Sequence, residues 1–147
     1  MENLLYVVLA LLAGATAPVQ AGINSHLRQS WAGDAVTASL VSFVVGTLAL
    51  TAYLVAVRAP WPGLPVRVPW WQWTGGLFGA FFVTMTVLLS WRLGATAMFA
   101  LVVAGQLVAS LALDHWGLLG YPVRPLSWER LLGTALLVAG VVLIRRG

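Results

Sequence analysis

Long apolar runs alternate along this chain with short polar or proline-rich breaks, and the runs have the length of a bilayer crossing. A helix needs about 20 mostly apolar residues to span the hydrocarbon layer. Five segments meet that measure: roughly Leu4 to Asn24, Ala35 to Val57, Trp70 to Leu89, Ala95 to Leu113 and Trp128 to Ile144. The fifth is the weakest, at about 17 residues, the low end of the spanning range. Each break has its own turn chemistry. In "SHLRQSWAGD", Asp34 is placed to cap the second helix. The four prolines of "RAPWPGLPVRVP" predict an extended connection. "SWRLGA" is so short that helices three and four are expected to form an antiparallel hairpin. In "GYPVRPLSWER", Gly120, Pro122 and Pro125 stop the helix and Ser127 can cap the next one. The expected fold is therefore an all-α polytopic membrane protein, one transmembrane domain over residues 1–147.

Composition agrees with this pattern. The chain is 61% hydrophobic and 8% charged, where soluble domains average about 25% charged residues. All eight basic residues are arginine, and most stand at the ends of apolar runs, where they anchor or orient helices. The net charge of +4 is therefore not a nucleic-acid footprint. The absence of cysteine excludes disulfides and thiolate metal sites. Trp31, Trp61, Trp70, Trp71, Trp73, Trp91, Trp116 and Trp128 fall at or near the predicted helix ends, as an interfacial aromatic belt requires. "ATA" and "VQA" in the first helix resemble signal cleavage sites, but the preceding Met-Glu-Asn has no positive side chain, so a retained helix is expected.

Polar residues inside the runs follow helical spacing. Gln106, Ser110 and Asp114 lie at i, i+4 and i+8 on helix four; Thr16, Gln20 and Asn24 repeat the pattern on helix one. Thr86 and Ser90 form a shorter version on helix three. Such side chains are costly against lipid and normally face a bundle interior or an aqueous cavity. Interhelical hydrogen bonding is the simpler role for Ser110, Thr86 and Ser90. For Gln20, Asn24 and Gln106, a substrate cavity is the expectation, and Gln106, about 16 Å along its helix from Ala95, should lie near the midplane. Pro18 removes the hydrogen bond of the Gly14 carbonyl beside this stripe. Small residues also recur four apart: Gly75 and Gly79, Gly76 and Ala80, Ala100 and Ala104, Gly105 and Ala109. That spacing permits close helix approach, within one subunit or between two.

Asp114 and His115 close helix four, near the interface. They read either as a solvated helix end or as a proton or ligand site. The only other histidine is His26, with no metal-ligand spacing to His115, so neither a metal nor another cofactor is expected. There is no nucleophile elbow and no carboxylate pair on one helix, which points away from an enzyme.

Taken together, "APVQAGINSHLR", "GDAVTASLVSFVVGTLAL" and "LGATAMFALVVAGQLVASLALDHWGLLG" resemble the short YdcZ-type branch of the drug/metabolite transporter superfamily. The resemblance runs over most of the chain. It implies a five-helix protein of the bacterial inner membrane, one half of a ten-helix inverted-repeat exporter of small molecules, completed by an oppositely oriented copy or paralogue. The family's recurring polar positions correspond to Gln20, Asn24, Arg28, Gln106, Asp114 and His115. Unlike the related four-helix multidrug exporters, this chain has no glutamate inside helix one, so a simple carboxylate exchange does not carry over.

The arginines lead to the pairing by a separate route. Five spans place the termini on opposite faces. Arg58, Arg67, Arg124 and Arg130 then share one side, and Arg28, Arg92, Arg145 and Arg146 the other. Four against four gives the positive-inside rule no preference, so each copy can insert either way. The expected function is a dual-topology antiparallel homodimer, in contact with lipid, moving a small organic solute past Gln20, Asn24, Gln106 and Ser110. Asp114 and His115 are expected to meet Asn24, His26 or Arg28 across the dimer, as a gate or a clasp. The competing readings are a non-transporting assembly subunit, in which the stripes only glue helices, and one half of a heterodimeric transporter.

Overall fold

A computed structural model of the chain describes residues 2–60, 63 and 68–146. It contains five long α-helices: α1 (Glu2–Leu27), α2 (Ala35–Ala56), α3 (Gly75–Leu93), α4 (Ala95–Trp116) and α5 (Trp128–Arg146). The first four are long and apolar enough to cross a membrane. In α5, Glu129 and Arg130 at the start and Arg145 and Arg146 at the end leave an uncharged stretch from Leu131 to Ile144. That uncharged stretch of 14 residues rises about 21 Å at 1.5 Å each, short of a roughly 30 Å hydrocarbon layer.

The helix boundaries differ from the sequence pattern where turn chemistry intervenes. α1 continues past Asn24, and the chain then widens into a π turn, Arg28–Ala32, whose last bond runs from the Gly33 N–H to the Arg28 carbonyl at 2.9 Å. Gly33 leaves that turn at φ 78°, and Asp34 starts α2 as expected. One Asp34 carboxylate oxygen accepts the amides of Val36 and Thr37 at 2.8 and 2.9 Å, and the other accepts the Thr37 hydroxyl at 2.6 Å. α3 begins later than expected, because Pro69 leads first into a 3₁₀ turn, Trp70–Thr74. α3 and α4 are separated by Gly94 alone, at φ 74°. Half of the proline-rich connection, residues 61, 62 and 64–67, lies outside the described residues, Trp61 and Arg67 among them.

The chain divides into two compact units, residues Met1–Arg92 and Leu93–Gly147. In the first, α1 and α2 run antiparallel: Gln20 stands opposite Ser42, while Leu27 and Ala32 pack beside Ala35. α2 meets α3 through Ala35, Ala38, Val83 and Val87, and higher up through Phe43 against Gly79. A Cβ on Gly79 would stand 3.3 Å from the Phe43 ring, so this glycine is where the spacing of small residues becomes close packing. The core is small, and the four spans bury only 6% to 17% of their most apolar stretch. Most of the apolar surface of these helices is left exposed in the single chain.

In the second unit, α4 and α5 run antiparallel, with Phe99 near Val141 and Ile144 at one end and Asp114 against Arg130 at the other. Gly117 ends α4 in the left-handed region at φ 60°, donating its N–H to Leu113. A short 3₁₀ turn, Leu118–Gly120, and an extended strap return the chain to α5.

Candidate functional site

Two clefts, each lined mainly by apolar surface, hold three of the residues singled out by their spacing: Gln20, Ser110 and Asp114. The first, in the first unit, encloses about 230 Å³ between α1 and α2 and is lined by Gln20, Ser42, Phe43, Gly46, Thr47 and Leu50. The Gln20 amide donates to the Ser42 hydroxyl at 3.3 Å across the helix pair. Gln20 is otherwise exposed, within a helix long and apolar enough to cross a membrane.

Its stripe partners go elsewhere. Thr16 turns its hydroxyl back to the Ala13 carbonyl at 2.7 Å. Asn24 is only 4% exposed, and its Nδ2 has no partner. A buried unmade amide bond costs on the order of 1–3 kcal/mol, and among the described residues this is the one fully buried side-chain polar atom without a partner. On α3, Thr86 and Ser90 bond the carbonyls of Val83 and Val87 in their own helix. Among the described residues, neither hydroxyl acts as interhelical glue.

The second cleft, in the second unit, encloses about 290 Å³ between α4 and α5. Leu107, Ser110, Leu111, Asp114, Arg130, Gly133 and Thr134 line it. Arg130 Nη1 reaches Asp114 Oδ2 at 3.4 Å and the Arg124 carbonyl at the same distance. The Arg124 N–H donates to the Asp114 carbonyl at 2.8 Å. His115 Nδ1 accepts the Leu126 N–H at 3.3 Å, and its ring meets Trp116 edge-on, 5.2 Å between centroids. The Asp-His pair therefore holds the α4–α5 strap against the end of α4 and places a carboxylate in a cleft. Among the described residues no three His, Asp or Glu side chains gather around a possible ion.

Gln106 lies in the second unit, exposed on α4, and lines none of the clefts described here. His26 is exposed. Arg28 is half-buried in a third cleft with Gln29, Gly33 and Trp91. Sequence spacing missed Ser42 and Thr47 on α2, and Arg130 and Thr134 on α5. Ser42 and Gly46 stand four apart in "SFVVG", a signal available but masked by the apolar run around it. Arg130 carried only a topological meaning, because nothing in a one-dimensional reading pairs it with a residue sixteen positions earlier.

Residues 5–143 match the family described as "Putative inner membrane exporter, YdcZ". The chain is 30% identical over 148 positions to the inner membrane protein YdcZ of Escherichia coli (strain K12), covering 99% of this chain and 98% of that protein. No solved structure matches it. With that coverage at both ends and four bilayer-length helices between them, the chain belongs to the YdcZ family and is a multi-pass protein of the bacterial inner membrane.

Proposed function

We propose that the chain is one half of a transporter for a small organic solute, completed by a second, inverted copy in an antiparallel dual-topology homodimer. The observation that carries this is the exposure of Gln20, Gln106 and Ser110 on bilayer-length helices. An amide facing hydrocarbon loses its hydrogen bonds to water without replacement, so it calls for protein or an aqueous cavity beside it. Inverted repeats around a central site are a common transporter plan, and the even division of arginines lets one chain supply both orientations. The export direction follows the family description alone.

In such a dimer, Asn24 is already buried in its own chain, which leaves His26 and Arg28 as the groups a partner copy can offer to Asp114. The Gln20–Ser42 bond favours a second reading, in which that amide is helix glue in an assembly subunit. Replacing Gln20 or Gln106 by Leu separates the two. Glue predicts loss of folded chain or dimer; a solute path predicts intact dimers that no longer move solute.

The decisive test is topology. Reporters active on one side of the membrane only, fused to the C-terminus, should give comparable signals from both sides. Signal from a single side would overturn the homodimer and leave a pair of different chains as the way to build the transporter.

A further inference from the structure

The cleft between α4 and α5 places opposite charges side by side without satisfying either. The one Asp114–Arg130 contact is a single N–O approach of 3.4 Å, where a good charge-assisted bond is about 2.7–2.9 Å. Arg130 Nη1 is shared with the Arg124 carbonyl. Among the described hydrogen bonds, none uses Arg130 Nη2 or Nε, or Asp114 Oδ1. Both groups are about one-third exposed, at 35% and 29%. Leu107 and Leu111, one helical turn apart, supply an apolar wall beside them.

We propose that this cleft recognises small zwitterionic amphiphiles: solutes carrying an amine and a carboxylate on neighbouring atoms next to an aliphatic group, as in an apolar α-amino acid. The proposal rests on the transporter reading and names a solute class for it. The selection is electrostatic. A neutral pair of charges is best matched by a second neutral pair in reverse order, ammonium on Asp114 and carboxylate on Arg130. A lone cation would compete with Arg130 for the carboxylate and leave the guanidinium unpaired; a lone anion would do the converse. Leaving a charged group unpaired in a partly desolvated cleft costs more than a missing neutral bond. The volume, about 290 Å³, lies at the low end for small-molecule sites and suits a small solute. The leucines receive the aliphatic part.

The test uses the full chain in detergent micelles, with leucine, leucinamide and 4-methylpentanoate as probes in isothermal titration calorimetry. Leucine should bind, and the two singly charged analogues should bind at least about tenfold more weakly, the loss expected for one charged hydrogen-bonded contact. Asp114→Asn should shift the preference towards 4-methylpentanoate, and Arg130→Gln towards leucinamide. Because either change also loosens the strap, Gly133→Leu provides the second arm. A Cβ at Gly133 meets nothing within 4 Å, so there is room at the cleft wall for a larger side chain to enter the cleft. It should abolish leucine binding with unchanged thermal stability. Leucine that does not bind, binds no better than its analogues, or binds Gly133→Leu normally would overturn the assignment. None of these results bears on the reporter experiment, so the zwitterion site and the inverted dimer can fail separately.

Discussion

At the residue scale, Asp34 and Gly117 each answer a local requirement that can be tested directly. The Thr37 hydroxyl, then the Thr37 and Val36 amides, and finally the positive field of Arg28, hold the Asp34 carboxyl below its ordinary value of 3.8. A depressed folded-state value means that the cap's contribution is complete above the ordinary value and is lost as pH falls through the lower one. Asp34→Asn should keep a capping oxygen but remove this acid dependence, while Asp34→Ala should lower thermal stability near neutral pH, with the deficit relative to the native chain shrinking as pH falls through the carboxylate range. Circular dichroism melts in detergent between about pH 2 and 7 cover the carboxylate range and distinguish the two variants. Gly117 sits at φ 60°, and a Cβ there would stand 2.6 Å from Val123 Cγ2. Gly117→Ala should cost about 1–2 kcal/mol from the left-handed backbone alone. Adding Val123→Ala should recover only the part due to the clash. The cap at Asp34 was legible from its residue type and place. The partners of Asp114 and His115 were not, because they lie on a strap whose path depends on where Gly117 sends the chain.

At the scale of elements, five helices were legible because an apolar run of bilayer length has few alternatives. Their ends were less so: the π turn after α1 and the 3₁₀ turn before α3 are decided by backbone hydrogen bonds that residue types only bias. The repeated small residues looked alike in one dimension, yet they differ in space. Gly79 is pressed against Phe43, whereas Gly75 and Gly105 face open space in the single chain. Gly79→Leu should therefore disrupt the packing of α2 on α3 and lower folded yield. Gly105→Leu should leave the monomer folded. If the exposed α4 face around Gln106 is the dimer surface, it should instead shift the population from dimer to monomer in crosslinking or native mass spectrometry. Equal effects at both glycines would show that spacing, and not contact, governs them.

At the scale of the whole molecule, orientation is a balance of small terms. The short segments at helix ends that hold the eight arginines are where positive charge counts most in setting orientation, and acidic residues contribute little. Glu2, Asp34 and Glu129 should therefore leave the tie in place. Two or three further arginines at the C-terminus should bias insertion towards a cytoplasmic C-terminus, read by the same one-sided reporters. Co-expressing a copy biased the other way should then restore function. An unchanged reporter ratio would mean that the first helix sets orientation regardless of the tie.

Membership of the membrane class, the number of helices and the cap at Asp34 follow from the sequence alone. Each depends on residue type summed over a segment or on its immediate neighbours, and such quantities do not require the chain to be folded. The pairing of Asp114 with Arg130, the use of Gln20 against Ser42, the burial of Asn24 and the difference between Gly79 and Gly105 belong to the tertiary structure. In a bilayer the apolar surface is indifferent to whether it meets lipid or another helix. Hydrophobic patterning therefore cannot say which faces touch, and only the packed helices decide which polar groups find partners and which are left facing a cleft.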